Sequence, residues 1–500
     1  MSHLELEQIL RDLPRFGQLV KDRPYRQVWR FEVNGRPYYL KFYPAGGWRD
    51  RLRRTFRGSP ALREFLRLQW LQKAHVPAPR AVACLSGLRI EGKKGDAVIL
   101  EGIEPAIPLD RHVHEHELRG QDVPGHRELA AQVIDLLEKL GRAGLSHQDL
   151  HLGNFLLRDG KVYLLDGYAV RKGGLRMGDL MLLAQSAQSI VTRSDLYRAW
   201  SRLGPGGPMP RTNPRATGIW RDLIRRATAD DAYFGQLRAG AWSGHFFKQA
   251  RFPRRWAAAS RLTLTEADWR EAWRFLLPQM DSDQFETLKE TSSGRVLGGQ
   301  IVLGGRPVPV VVKRPAHKYW YRLLTQLGRG HRSRRAWIKA WKLVIRDIPT
   351  AWPLLLMEKR VMGYTVDALL VCERIAGKTL AQGEWTAWND ESRRLLMHRC
   401  GRLLRRLERA GLFLYDAKAE NWIVWEDPVR GPWPILIDVD GIRRIRAGNG
   451  GFRRLLRSLR EKPHIRLDRQ DALALARGYA PYGDEKTMAR LLAPLPEDAS

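Results

Sequence analysis

A short run of polar side chains in the first half of the chain has residue types that can do chemistry. His147, Asp149 and His151 alternate with other residues, Asn154 follows Asp149 by five positions, and two apolar segments around an Asp-Gly turn lead to Asp166. In phosphoryl-transfer sites one aspartate accepts the proton of the attacking hydroxyl, while an asparagine and a second aspartate hold magnesium against the ATP phosphates. The spacing therefore predicts that Asp149 is the proton acceptor and that Asn154 and Asp166 are magnesium ligands.

Three upstream residues can complete a site of this kind. Lys41 lies in a predicted strand just after a hairpin turn at Asn34-Gly35, where its charge could neutralise the α- and β-phosphates. Glu64 lies on a predicted helix, beside its apolar face, and is the candidate to orient Lys41. Glu101 ends a short buried strand and is a further candidate for cofactor binding.

The two histidines have different predicted roles. His147 precedes Asp149 by two residues and is expected to support the loop by hydrogen bonds, without taking part in the chemistry. His151 follows Asp149 by two residues and could face the transferred phosphate, so it is a candidate catalytic residue with a structural role as the alternative. Each candidate residue has an ordinary structural explanation when taken alone, but their joint order along the chain favours one shared site.

The same chemical residues recur in the second half of the chain. The offsets are nearly constant: 272 positions from Lys41 to Lys313, 267 from Asp149 to Asp416 and from Asn154 to Asn421, and 272 from Asp166 to Asp438. Four matched residues at such offsets indicate a tandem duplication of one fold.

The second copy departs from the first at several positions. Leu414 replaces the histidine before the aspartate, and Ala336 falls where Glu64 lies in the first copy, so Lys313 is predicted to lack a helical carboxylate partner. Lys418 could meet the γ-phosphate, and Glu373 is the cofactor-binding candidate that corresponds to Glu101. These residues favour a divergent active site, with a degenerate regulatory domain as the alternative. Neither copy has a complete Gly-x-Gly-x-x-Gly loop.

Residues 145–157 resemble the catalytic loop of the lipopolysaccharide kinase family, the bacterial inner-core heptose and Kdo kinases. The resemblance rests on the motif His-x-Asp-Leu-His-x-Gly-Asn, together with Tyr39-Leu40-Lys41, Arg63-Glu64-Phe65 and the stretch from Thr192 to Tyr197. The resemblance implies an α+β fold with two protein-kinase-like bilobal domains in tandem, each with a β-rich N-lobe and an α-rich C-lobe. It also implies ATP-dependent phosphorylation of a sugar hydroxyl in the lipopolysaccharide inner core, with ATP and Mg²⁺ as cofactors.

The predicted domain boundaries follow from a Gly- and Pro-rich break at residues 204–210. Residues 1–204 are expected to form the first kinase-like domain and residues 266–500 the second, divergent one. Residues 205–265, which are basic and Trp-rich, are predicted to be helical and to form a linker or an extension of the C-lobe.

The charge of the chain indicates an anionic partner. It has 86 Lys and Arg residues against 54 Asp and Glu, a formal net charge of +32, and such a surface attracts anionic lipids, glycans or nucleic acid. A high-GC genome would also enrich arginine without a functional reason. With the resemblance, the expected partners are lipopolysaccharide core or a related anionic glycolipid and an anionic membrane surface. Nucleic acid is disfavoured, and the oligomeric state stays open.

The expected location is the cytoplasm, with peripheral association at the inner face of the cytoplasmic membrane. The first residues are polar and acidic, which is not typical of a secretory signal, and no apolar run approaches the roughly 20 residues of a membrane span. The three cysteines, Cys84, Cys372 and Cys400, fit neither a disulfide framework nor a zinc site.

Two other classes of function remain open from the sequence. A Ser/Thr protein kinase or a small-molecule phosphotransferase would use the same reaction, although no Ala-Pro-Glu segment follows Asp166. A nucleic-acid-binding protein on an inactive kinase scaffold would use the basic runs at residues 329–335 and 443–460, with Trp337 and Trp341 as stacking candidates.

Overall fold

The chain forms two compact units, residues Met1–Asn213 and Pro214–Ser500, called here the first unit and the second unit. The structure is a computed structural model. It describes residues 13–23, 25–119, 121, 123–187, 193–203, 224–231, 233–248, 264–316, 331–346, 348–362, 364–383, 385, 388–444 and 449–493.

The first unit begins with an antiparallel sheet of order β1-β2-β3-β5-β4. The strands are β1 (Gln18–Arg23), β2 (Arg26–Val33), β3 (Arg36–Pro44), β4 (Ala81–Ile90) and β5 (Lys93–Glu101), and the helices of this part are α1 (Leu13–Phe16), α2 (Trp48–Arg57) and α3 (Pro60–Lys73). The rest of the unit contains β6 (Ile107–Pro108), α4 (Leu109–Leu118), α5 (His126–Arg142), β7 (Leu145–His147), β8 (Phe155–Arg158), β9 (Lys161–Leu164), β10 (Val170–Lys172), α6 (Met177–Ser186) and α7 (Arg193–Leu203).

Burial periodicity explains the elements that position the first site. Alternate residues of β2 are buried, so one face of this strand packs on the core, whereas the consecutive residues 97–100 of β5 are buried on both faces. Helix α3 begins at the cap Ser59, whose side chain accepts from the Leu62 amide, and has Pro60 in its first turn. Helix α5 buries one apolar stripe: Leu129, Val133, Leu136, Leu137 and Leu140.

The second unit repeats this order and adds two strands. Its large sheet runs β11-β12-β16-β17-β15-β14-β13, with β11 (Phe234–Ala239), β12 (Trp242–Phe247), β13 (Glu286–Thr291), β14 (Gly294–Leu303), β15 (Arg306–Pro315), β16 (Pro353–Val361) and β17 (Tyr364–Glu373). Helices α8 (Glu266–Gln279) and α9 (Arg332–Val344) accompany the sheet. The rest contains β18 (Lys378–Thr379), α10 (Asp390–Arg409), β19 (Leu412–Leu414), β20 (Trp422–Asp427), β21 (Gly431–Leu436), β22 (Ile442–Arg444), α11 (Gly450–Arg460), α12 (Arg469–Tyr479) and α13 (Glu485–Leu492).

Strands β11 and β12 show that the prediction of a helical segment over residues 205–265 was wrong for residues 234–247. They form an antiparallel hairpin around Gly240, and β12 pairs with β16 at the edge of the sheet. Phe234, Phe246 and Phe247 pack in the core of the second unit, so long-range pairing and aromatic burial outweigh local helix propensity here. The Gly- and Pro-rich break and the basic residues 249–263 lie outside the described residues.

The tryptophans proposed to stack on bases lie inside the protein. Trp337 and Trp341 on α9 are both completely buried, and their rings contact Phe234 edge-on. The Trp337 indole nitrogen donates to the Ala227 carbonyl. Neither ring can stack on a nucleic acid, so that element of the nucleic-acid interpretation was wrong. Within the described part of the chain, no helix has the length and apolarity needed to cross a bilayer.

Candidate active site

Lys41 and Glu64 form the buried ion pair that the sequence predicted. Lys41 Nζ lies 2.5 Å from Glu64 Oε1, and the Glu64 side chain has no exposed surface. A buried carboxylate requires such partners because it has lost its hydration. The Tyr43 hydroxyl donates to the other carboxylate oxygen, and burial beside Glu64 raises the pKa of Tyr43. Strand β3 and helix α3 are thereby joined by two bonds to one carboxylate.

The loop after β7 is held by His147. The imidazole is buried, with Nε2 3.1 Å from the Leu165 carbonyl oxygen and Nδ1 accepting from the Asp149 amide at 3.3 Å. Burial lowers the pKa of His147, which keeps the ring neutral, with Nε2 as donor and Nδ1 as acceptor. These bonds match the predicted supporting role.

Asn154 lies against Asp149 at the end of a single 3-10 turn, residues Leu152–Asn154. Its Nδ2 donates to the Asp149 carbonyl oxygen at 2.7 Å and lies 3.3 Å from the Asp149 carboxylate. Because the amide nitrogen is committed to the loop, the Asn154 Oδ1 atom is the one available to a hard cation. The Asp149 side chain is 56% exposed and open to a substrate.

His151 supports the loop and lies beside Asp149, and a catalytic role for it stays a prediction. Its Nδ1 accepts from the Gly153 amide at 3.1 Å and so caps the 3-10 turn, while Nε2 lies 3.5 Å from Asp149 Oδ2. The side chain is 41% exposed. The ring therefore supports the loop and also borders the proposed proton acceptor.

Asp166 has the surroundings expected of a metal ligand. It has a left-handed backbone with φ of 57°, and its Oδ1 atom is buried without a hydrogen-bond partner in the described structure. The neighbouring cation is Arg26, whose Nη1 lies 3.7 Å from that oxygen. A buried carboxylate oxygen that accepts no hydrogen bond, near an asparagine of the same loop system, is a donor set that would fit Mg²⁺, which prefers oxygen ligands and usually keeps phosphates and waters as its others.

Gly167, directly after Asp166, allows helix α3 to approach the loop that carries Asp166. A Cβ atom at this position would lie 2.6 Å from Leu68 Cδ2 on α3, closer than side-chain atoms pack. The helix that carries Glu64 and the loop that carries Asp166 are therefore in direct contact.

The second unit repeats the aspartate–asparagine loop almost atom for atom. Asn421 Nδ2 donates to the Asp416 carbonyl oxygen at 2.8 Å and lies 3.3 Å from its carboxylate. The charges around Asp416 differ from those around Asp149, because Arg454 Nη2 lies 3.3 Å and Lys418 Nζ 3.8 Å from Asp416 Oδ1. The second carboxylate is thus partly neutralised by arginine from α11.

The lysine of the second unit has a different partner from that of the first. Lys313 Nζ donates to the Ile437 carbonyl oxygen at 2.8 Å, and Ala336 is buried at the position predicted to match Glu64. Where α3 contributes a carboxylate, helix α9 contributes two cations, which contact Asp440 in the loop after Asp438. Arg332 Nε lies 2.5 Å from Asp440 Oδ2, and Lys339 donates to the Asp440 carbonyl oxygen at 2.6 Å.

Asp438 keeps the position that corresponds to Asp166. Its Oδ1 accepts from the Asp440 amide at 3.0 Å. Metal binding by Asp438 stays a prediction for this unit.

Glu101 and Glu373 stand at the ends of equivalent strands, β5 and β17. The Glu101 carboxylate pairs with Arg80 at 2.6 Å on a partly exposed surface, and the structure does not bring it to the Lys41–Glu64 pair. Glu373 is buried, and its backbone lies opposite Val310 on β15. A role for these two side chains in cofactor binding stays a prediction.

Sequence reasoning did not find Arg26, Tyr43 or Arg454. Each contacts a site residue from a distant part of the chain, so its role depends on the tertiary structure. Arg26 directly follows the turn between the first two strands. Kinases commonly have a glycine-rich phosphate-binding loop at this turn, and that is the one signal that could have suggested a role for Arg26.

A buried lysine–glutamate pair, an aspartate–asparagine loop and a following aspartate are the residue types found in phosphotransferases of the protein-kinase-like class. The family model for the "Lipopolysaccharide kinase (Kdo/WaaP) family" matches residues 17–176 and 321–479. These regions make up more than half of the chain, so the chain belongs to this family. The two matched regions, each within a sheet-and-helix unit, confirm two kinase-like domains in tandem.

Two curated relatives are each described as "Lipopolysaccharide core heptose(I) kinase WaaP". The protein from Escherichia coli (strain K12) is 24% identical over 152 residues, and that from Pseudomonas aeruginosa (strain PAO1) is 25% identical over 158 residues. The matches cover 28% and 30% of this chain and 55% and 58% of the relatives. The chain therefore spans little more than half the length of the relatives it matches.

One similar solved structure is described as "WaaP in complex with acyl carrier protein". It is 20% identical, covers 43% of this chain and 90% of its own, and has a TM-score of 0.30.

Proposed function

We propose that this protein transfers the γ-phosphoryl group of ATP to a sugar hydroxyl of the lipopolysaccharide inner core, on Kdo or heptose. The observation that carries the proposal is the set of contacts in the first unit: the Lys41–Glu64 pair, the bond from Asn154 to Asp149, and a buried Asp166 oxygen that accepts no hydrogen bond among the described residues. Membership of the lipopolysaccharide kinase family supports the acceptor class.

The proposed roles follow from the charge and reach of each group. Lys41, oriented by Glu64, binds α- and β-phosphate oxygens, and Asn154 and Asp166 hold Mg²⁺, which supplies positive charge to the phosphates when bound. Asp149 accepts the hydroxyl proton as the sugar oxygen forms its bond to the γ-phosphorus. The bond from that phosphorus to the bridging oxygen breaks, and the electron pair leaves with ADP.

The proposed working place is the inner face of the cytoplasmic membrane, reached without a membrane span. A net charge of +32 supports attraction to an anionic bilayer and to an anionic glycolipid acceptor. The partner of the protein is thus the lipopolysaccharide core at a membrane surface.

We further propose that the first unit is the catalytic one and the second a regulatory copy. Two differences support this assignment: Lys313 is bonded to a carbonyl oxygen, and Asp416 is paired with Arg454. A carboxylate that is already paired with a guanidinium is less available to the hydroxyl of a substrate.

The test is ATP-dependent phosphate transfer to deacylated core oligosaccharides by the wild type, Asp149→Asn and Asp416→Asn. Asp149→Asn should lose at least ~100-fold of the rate, the usual scale of a lost general base, while Asp416→Asn keeps most of it. Asp159→Asn is the control, because that carboxylate is 77% exposed on the nearby turn.

Three results would contradict parts of the proposal. Activity that survives in Asp149→Asn would reject the assigned base, and loss only in Asp416→Asn would make the second unit the enzyme. Transfer to proteins or to small soluble alcohols, with none to core oligosaccharides, would reject the acceptor class.

A further inference from the structure

Three arginines of the first unit meet on one aromatic ring. The guanidinium carbons of Arg63, Arg67 and Arg171 lie 5.4, 5.3 and 5.7 Å from the centroid of the Tyr168 ring. Two of them come from α3 and the third from β10, which follows the Asp166 loop. Cation–π contact stabilises each arginine on the ring, but it does not remove the repulsion among three positive charges.

No carboxylate balances these charges in the described structure. None of the three guanidinium groups has an ion pair there, and the nearest acid on α3, Glu64, is already bound to Lys41 and Tyr43. The crowding of positive charge affects the pKa of Arg67. Burial and the neighbouring Arg171 and Arg63 lower the pKa of Arg67 to about 10.

The arginines keep donors that the protein leaves unused. Arg67 and Arg171 each give one Nη1 donor to the Tyr168 carbonyl oxygen, and Arg171 also donates to the Val170 carbonyl at 2.7 Å. Arg63 Nε is buried and has no acceptor among the described residues. A guanidinium has five donors, so most of the donor capacity of the cluster is directed at no protein acceptor.

We propose that Arg63, Arg67 and Arg171, gathered on Tyr168, form a binding site for a phosphate group that joins helix α3 to strand β10. Three guanidinium forks suit a tetrahedral oxyanion better than a single carboxylate, because each can make paired charge-assisted hydrogen bonds to different oxygens. All three side chains are partly exposed, so a phosphate can reach them from solvent.

The site also touches the helix that carries Glu64. Arg63 and Arg67 flank Glu64 on α3, and a phosphate shared with Arg171 would restrain that helix against the segment after Asp166. Phosphate binding itself does not depend on the proposed function. Its coupling to the Lys41–Glu64 pair does.

The experiment titrates the full chain with inorganic phosphate by calorimetry, at an ionic strength held constant with sodium chloride. Arg63→Gln is the main variant, because among the described residues Arg63 donates to no backbone carbonyl whose loss would disturb the fold. It should weaken phosphate binding by at least ~10-fold, the effect of losing one charge-assisted contact. Arg158→Gln, an arginine of the same unit paired with Asp159 at the surface, should bind like the wild type.

A further variant and a further ligand define this site. Lys172→Gln, which follows Arg171 on β10 but has its ammonium over the Trp70 ring, should keep the phosphate affinity of the wild type. Glucose 1-phosphate in place of inorganic phosphate distinguishes a phosphate carried on a sugar from a free ion. Binding of either ligand that is lost in Arg63→Gln supports the site.

Amide hydrogen exchange of residues 60–73 (helix α3) tests whether bound phosphate restrains this helix against strand β10. Phosphate should slow exchange of this helix in the wild type and in Arg158→Gln, but not in Arg63→Gln or Arg171→Gln. The proposal is overturned if neither ligand binds the wild type at millimolar concentration, or if Arg63→Gln and Arg158→Gln respond alike.

Discussion

Asn154 and Asn421 make the same pair of bonds to Asp149 and Asp416, yet the two aspartates have different neighbours. Asp149 is approached by His151, while Asp416 is approached by Arg454 and Lys418. Backbone geometry of the loop has therefore been kept in both units while the charge around it has changed. At the residue scale, the contacts of the carboxylate distinguish the two loops better than the residues that the loops share.

Buried histidines give a residue-scale prediction on pH. Burial and the nearby arginines Arg402, Arg399 and Arg477 lower the pKa of His398 from 6.5 to about 3. The unfolded chain then binds this proton first, so the stability gained from neutral His398 is complete above pH 6.5 and decreases as the pH falls towards 3. His398→Gln should remove this dependence.

The measurement compares urea unfolding of the wild type and His398→Gln between pH 6 and pH 4. The stability difference between them should change by about 1.4 kcal/mol per pH unit. His464→Gln, at an exposed position of the same unit, is the control. A difference that does not vary with pH would show that His398 takes up its proton in the folded state.

Helices α3 and α9 occupy equivalent places but carry opposite charge towards their sites. Helix α3 contributes Glu64 to Lys41, whereas α9 contributes Arg332 and Lys339 to Asp440. The apolar face of α9 packs Trp337 and Trp341 into the core. The charges on the polar face of each helix determine which charged groups the adjoining site can bind.

The crossing of α10 and α12 gives an element-scale prediction. A Cβ atom at Gly401 would lie 2.1 Å from the Leu475 carbonyl oxygen, which belongs to the backbone and cannot turn aside. Gly401→Ala should therefore push the helices apart and destabilise the second unit by about 1–3 kcal/mol. Scanning calorimetry would show one unfolding transition moving to a lower temperature.

Gly47→Ala is the matched control for this helix crossing. A Cβ atom there would meet nothing within 4 Å, so the effect should stay near ~0.5 kcal/mol. Equal shifts for both variants would mean that close helix packing at Gly401 is not the cause.

At the scale of the whole molecule, the net charge of +32 predicts how the protein meets a surface. The chain should bind vesicles that contain phosphatidylglycerol and should release them as sodium chloride rises from about 0.1 to 0.5 M. The reason is that the Debye screening length is about 10 Å at 0.1 M and becomes shorter as salt increases. Sedimentation with the vesicles measures the bound fraction. Phosphatidylcholine vesicles are the control, and equal binding to both lipids would contradict an electrostatic attachment.

Much of this molecule could be predicted from sequence because the duplication supplied an internal comparison. Lys41, Glu64 and the two aspartate–asparagine loops lie on elements with clear period and turn signals. The structure contains the Lys41–Glu64 pair in the first unit and the aspartate–asparagine contact in both units. The hairpin of β11 and β12 could not be predicted locally, since β12 joins the sheet by pairing with β16, which lies more than 100 positions further along the chain. The contacts of Arg26 and Arg454 depend on tertiary folding in the same way.

Arg26 bears on the order in which ligands can arrive at the first site. Its guanidinium lies 3.7 Å from Asp166 Oδ1, so a magnesium ion that came alone would meet a positive charge already in place. ATP brings phosphate oxygens that can draw the arginine away, which frees the carboxylate for the metal. On the proposed function, the protein should be nearly indifferent to free Mg²⁺ and should bind it together with nucleotide, a sequence of events that a titration with MgCl₂ before and after ATP would reveal.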